Sequence, residues 1–72
     1  MKANKFVISG LNDPKDIRNI EQTILHSHEG INAVRVDMEA STVTVDYDEG
    51  RYTEEDIKSF VSHTGLNVIK VK

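Results

Sequence analysis

The chain of 72 residues contains no cysteine. No disulfide can staple the fold, and no thiolate is available to bind a metal or attack a substrate. That composition fits a reducing, cytoplasmic setting. No long hydrophobic run is present. The basic start Met1-Lys2-Ala3-Asn4-Lys5 is not followed by the apolar stretch a signal peptide or a membrane span requires, so no membrane partner is expected. The net charge of −3 argues against a nucleic-acid partner. There is no Gly-rich phosphate loop, no Ser-His-Asp arrangement and no paired-carboxylate pattern, so no enzyme is expected. A chain this short has room for one domain, residues 1–72, with a single thin core.

Proline occurs once, at Pro14, and its position is informative. It lies in Gly10-Leu11-Asn12-Asp13-Pro14-Lys15-Asp16-Ile17, between the apolar run Phe6-Val7-Ile8 and a helical pattern. Asp13 suits the N-cap, Pro14 the first helical position and Asp16 the third. There a carboxylate complements the positive end of the helix dipole.

Lys5 to Ser9 reads as a first strand, with Phe6 and Ile8 inward. Ile17, Ile20 and Ile24, widened by Leu25, form the apolar stripe of a first helix that fades near His26-Ser27-His28, with Gly30 as a left-handed terminator. Ile31 opens the next segment. Ala33 to Met38 and Thr42 to Tyr47 then alternate, with Val34, Val36, Val43 and Val45 inward and the threonines outward. The short link between them marks an antiparallel hairpin. Thr53, with Glu54, Glu55 and Asp56 after it, caps a second helix carrying Ile57, Phe60, Val61 and Thr64 on one face. Gly65 closes that helix at C′. Leu66 to Val71 is the last strand, with Leu66 and Val68 inward and Ile69 and Val71 outward.

The order β-α-β-β-α-β gives an α+β, ferredoxin-like two-layer sandwich, a four-stranded antiparallel sheet with both helices on one face. The expected core is Phe6, Ile8, Ile17, Ile20, Ile24, Val34, Val36, Val43, Val45, Ile57, Phe60, Val61 and Val68. The far face of the sheet would gather Val7, Ala33, Thr42, Thr44, Ile69 and Val71, either as a mixed solvent face or as a docking or dimerisation surface. The edge charges Arg35, Asp37, Lys70 and Lys72 discourage uncontrolled pairing, leaving a monomer or weak dimer.

Gly30 to Asp37, Thr42 to Asp48, Thr53 to Ile57 and Gly65 to Val68 together resemble the heavy-metal-associated domains, the small copper and mercury carriers and the N-terminal modules of metal-pumping ATPases. The resemblance covers almost the whole chain. It implies a role in metal homeostasis and a protein partner such as a metal-transport ATPase. In that family the segment after the first strand reads Gly-Met-Thr-Cys-x-x-Cys, and its two thiolates hold a soft ion. Here the matching segment keeps Gly10, places Leu11 at the Met position and puts Asp13 and Asp16 at both Cys positions. Leu66 stands where an aromatic often follows the late Gly.

Carboxylates are poor ligands for Cu(I), and two are too few for a tight site for a hard cation. Asp13 and Asp16 therefore read first as caps, with no cofactor expected; a weakly bound divalent cation is the alternative. His26, His28 and His63 suggest Zn²⁺ or Ni²⁺. Two residues apart, however, His26 and His28 diverge on a helix, and solvated or dipole-complementing histidines are the plainer reading. Asp46 to Gly50 has the look of an EF-hand loop but lacks its turn glycine and final Glu, and reads as a solvated acidic loop. The expected function is a non-enzymatic protein-interaction or regulatory module that has lost its soft-metal ligands.

Overall fold

The computed structural model describes residues 2–10 and 13–72. Its elements are β1 (Lys2–Ser9), α1 (Pro14–Leu25), β2 (Ile31–Asp37), β3 (Thr42–Tyr47), α2 (Glu54–Ser62) and β4 (Asn67–Val71). The sheet order is β2-β3-β1-β4, and every pairing is antiparallel. The result is the ferredoxin-like sandwich, with the two interior strands supplied by β1 and β3.

The local chemistry explains the helix starts. Pro14 is the first residue of α1, with Asp13 as its N-cap. Thr53 and Asp56 form a reciprocal capping box at α2: Asp56 N–H donates to Thr53 Oγ1 at 3.2 Å, and Thr53 N–H donates to Asp56 Oδ2 at 2.9 Å. The helix ends differ from expectation. The C-caps are His26 and His63, neither in the left-handed region. Gly30 does have a positive φ of 92°, but it lies four residues past the cap, in the turn just before β2. Gly65, with φ 96°, is two past its cap, and its N–H donates to Ser62 O at 3.1 Å.

Phe6, Ile8, Ile20, Ile24, Val43, Val45, Ile57 and Val61 form the core as expected, each burial being worth about 1.5–3 kcal/mol. Ile17, Val34, Val36, Phe60 and Val68 are only half-buried. Ile31, Tyr47 and Leu66 join the core instead. A bulge explains Ile31. Ala33 pairs with Asp46, yet Ile31 pairs with Tyr47, so Asn32 is an extra residue on β2. That insertion turns Ile31 from the open face to the inner one.

β1 begins three residues earlier than expected, because Lys2, Ala3 and Asn4 pair with Tyr47, Asp46 and Val45. This puts Asn4 on the inner face, buried. A second bulge lies at Ile69, between Val68, opposite Ile8, and Lys70, opposite Val7. Ile69 is 62% exposed. Beyond the bulge Val71 pairs with Phe6, which places it on the inner side of an edge strand and not on the outer face as its spacing had suggested. Thr42, expected outward and exposed, is only 3% exposed. It sits on interior strand β3 between Val7 and Asp37, with neighbours on both sides. Among the described residues no helix is long and apolar enough to cross a membrane.

Candidate functional site

At one end of the sandwich the β1–α1 connection meets the α2–β4 connection. Gly10 has φ 97°, and a Cβ placed there would lie 3.9 Å from Gly65 O and 4.0 Å from Leu66 Cδ2. Leu66 is buried beneath this end. Leu11, expected at the family's Met position, and Asn12 lie outside the described residues.

Asp13 is extended (φ −136°, ψ 127°), and its Oδ1 accepts from Lys15 N–H at 3.0 Å. Its carbonyl accepts from Asp16 N–H, also at 3.0 Å. Asp16 follows in the first turn of α1, and both acids are exposed. One of the two carboxylates is thus already committed to the free amides of a helix start. The donors offered to an ion are hard oxygens, which do not fit the soft ions the family's sulfur ligands hold. Among the described residues no group of three or more His, Cys, Asp or Glu is placed to hold a metal ion.

The three histidines take different roles. His26 caps α1, with Nε2 2.9 Å from Gln22 Oε1. His63 caps α2. His28 lies flat against Phe60, ring centroids 3.9 Å apart and planes 12° from parallel. Tyr52 meets both rings edge-on, at 6.0 Å from His28 and 5.4 Å from Phe60. The Tyr52 hydroxyl donates to Glu29 O, which ties this cluster to the turn before β2. An open cavity of about 340 Å³ runs between the helices. Thr23, Ser27 and His28 form one wall, and Ser59, Phe60, His63 and Thr64 the other.

Sequence reasoning did not find this groove. The spacing of Phe60 reads as core, and nothing local pairs it with His28, which lies 32 positions earlier. The stacking also sets His28 apart from a simply solvated histidine.

A polar chain, buried at Tyr47 and Asn4 and ending on the exposed Glu54, joins β1, β3 and α2. Tyr47 Oη donates to Asn4 Oδ1 at 3.3 Å, and Asn4 Nδ2 donates to Glu54 Oε1 at 2.6 Å. Burial, with Glu54 and then Glu49 adding to it, pushes the Tyr47 phenol above its ordinary value. In the acidic loop the Asp48 carboxylate accepts from Gly50 N–H at 2.9 Å, and its carbonyl accepts from Arg51 and Tyr52 N–H at 3.0 and 3.1 Å. Asp48 organises a turn there. On the open sheet face Arg35 lies 3.9 Å from Asp46, beside a shallow cavity of about 430 Å³ bordered by Lys5, Asp37, Thr42 and Thr44.

The comparisons with known proteins agree with this architecture. No curated protein sequence matches the chain. Among solved structures, a CopZ metallochaperone superposes with a TM-score of 0.81 at 19% identity, covering 94% of this chain and all of the other. Oxidized MerP from Ralstonia metallidurans gives 0.82 at 17% identity, covering 99% and 96%. The N-terminal domain of a potential copper-translocating P-type ATPase from Bacillus subtilis, solved in its Cu(I)-loaded state, gives 0.74 at 26% identity, covering 97% and 89%. The model of the heavy-metal-associated domain matches residues 6–66, and on that match the chain belongs to the heavy-metal-associated domain family.

Proposed function

We propose that the protein is a non-enzymatic member of the family that has given up soft-metal carriage and acts in metal handling through protein contacts. The single observation behind this reading is the state of the β1–α1 connection. The family scaffold is complete, yet the residues matching the two metal-binding cysteines are Asp13 and Asp16, and the Asp13 carboxylate serves the helix N-terminus. Such a domain keeps the surfaces of a carrier without its cargo site. Relatives in P-type ATPases and chaperones support a protein partner of the metal-transport type and a cytoplasmic setting. Carboxylates at those positions support bracing of α1 over ion binding.

The test is a Cu(I) titration of the purified chain against a competing chelator. Competition by the protein in the sub-micromolar range would overturn the reading. Amide shifts at Asp13 or at Lys15 to Ile17 on adding Ca²⁺, or selective broadening there on adding Mn²⁺, would replace it with the weak divalent-cation reading of Asp13 and Asp16. For the partner, the isolated metal-binding domain of a metal-transport ATPase is added to the labelled protein. Saturable shifts on one contiguous surface are expected, and their absence at high partner concentration counts against the proposal.

A further inference from the structure

We propose that the interhelical groove is a two-imidazole site for a borderline divalent transition ion of the Zn²⁺, Ni²⁺ or Cu²⁺ class, with His28 and His63 as its protein ligands. It is independent of the Asp13 end of the molecule and does not rest on the functional reading above.

The first argument is the tautomer of His28. Ser27 Oγ has one proton and donates it to Ile24 O at 2.7 Å. Toward His28 Nδ1, 3.1 Å away, Ser27 Oγ is therefore the acceptor, and Nδ1 carries the hydrogen. In the neutral ring the lone pair is then on Nε2. The Phe60 face and the Tyr52 edge fix the plane of that ring. A ligating imidazole needs this kind of support: one nitrogen held by a hydrogen bond, the ring clamped, the other nitrogen available.

The second argument is a shared cavity. His63 follows Phe60 by three residues, so the two lie on one flank of α2, and His28 stacks on that same Phe60. Both histidines line the one cavity, as do Thr23 and Ser59. None of the described residues that line it carries a carboxylate, which disfavours Ca²⁺ and Mg²⁺, whereas imidazole suits the borderline ions. His63 is the C-cap of α2, and His28 lies just past the C-cap of α1. A cation between them therefore sits near the negative ends of two helix dipoles. His26 makes a built-in control, because its Nε2 is engaged with Gln22 Oε1.

The experiment follows the ring nitrogens of all three histidines by NMR as Zn²⁺ is added to the full chain. Nε2 of His28 and a nitrogen of His63 should shift together, with His26 unmoved. His63→Asn, an exposed position, should abolish the coupled shift while far-UV circular dichroism stays unchanged. Ser27→Ala frees the tautomer and should weaken binding by about 10-fold or more. No ring response at a large excess of Zn²⁺ overturns the proposal. A response of equal size at His26, a response confined to Asp13 to Ile17, or one unaffected by His63→Asn does the same.

Discussion

Asn4 and Glu54 are 50 residues apart in sequence and 2.6 Å apart in space, amide to carboxylate. The contact joins the start of β1 to the first turn of α2, and the other end of the Asn4 amide accepts from Tyr47. An amide buried with both ends engaged is expensive to remove, because its partners stay behind unsatisfied. Asn4→Ala should destabilise the fold by about 1–3 kcal/mol in urea unfolding. Loss of less than about half a kcal/mol would mean that water replaces the amide.

The same chain makes stability depend on alkaline pH. Tyr47 has a raised pKa in the folded state because it is buried and faces Glu54 and Glu49. Below about pH 10 both folded and unfolded chains hold the phenol proton, and the contribution is fully present. As pH rises past that value the unfolded chain releases the proton first, so stability falls toward the folded-state value. Thermal melts between neutral pH and pH 11 should show this fall, and Tyr47→Phe should remove its Tyr47 part. An identical alkaline slope in the Tyr47→Phe variant would contradict the assignment.

Asp13→Ala tests the helix cap directly. Losing the bond to Lys15 N–H should cost roughly 0.5–2 kcal/mol, and Asp13→Ser should recover most of it. In a domain of this size each kcal/mol lowers the melting temperature by about 4–8 °C. An Asp13→Ala variant as stable as the parent would leave the carboxylate without a structural role.

Gly30 and Gly65 have nearly the same backbone conformation, φ 92° and 96°, in different surroundings. A Cβ at Gly30 would lie 3.0 Å from Arg51 Cδ and 3.1 Å from Tyr52 Cε2, whereas one at Gly65 meets nothing within 4 Å. Gly65→Ala should carry only the left-handed penalty, about 1–2 kcal/mol. Gly30→Ala should lose more, by crowding the Tyr52 side of the aromatic cluster. Equal melting temperatures would show that Arg51 and Tyr52 yield freely.

Ser41 adopts φ 54° in the β2–β3 turn, the one described non-glycine residue with a positive φ. Its carbonyl accepts from Ile8 N–H at 2.9 Å, so the strained residue also extends the β1–β3 ladder. Ser41→Gly relieves the strain and should leave stability unchanged or raise it by up to about 1 kcal/mol. A clear loss would show that the Ser41 side chain supports the turn.

Features set by neighbours in sequence could be read from it. Pro14 at the first helical position, the Thr53–Asp56 box and the alternation of β3 depend on local hydrogen bonds and a period of two, and the structure shows each. Ile31 could not be read, because its inward turn depends on a bulge opposite Tyr47, and an extra residue in a ladder leaves no trace in alternation. The same holds for Val71 beyond the bulge at Ile69. Asn4 reads as a polar residue before a strand, and only the arrival of Glu54 and Tyr47 from distant segments makes it an inner one. At the candidate site, Asp13 was legible as a cap by the same local logic. The pairing of His28 with Phe60 is purely tertiary and was not.

The position of β1 between β3 and β4 also bears on how the molecule assembles. The β2–β3 hairpin pairs segments adjacent in sequence, but the two partners of β1 lie about 40 and 60 residues downstream. Such long loops are slow to close. Without β1 the hairpin and the final strand would share no ladder at all, because β1 alone lies between β3 and β4.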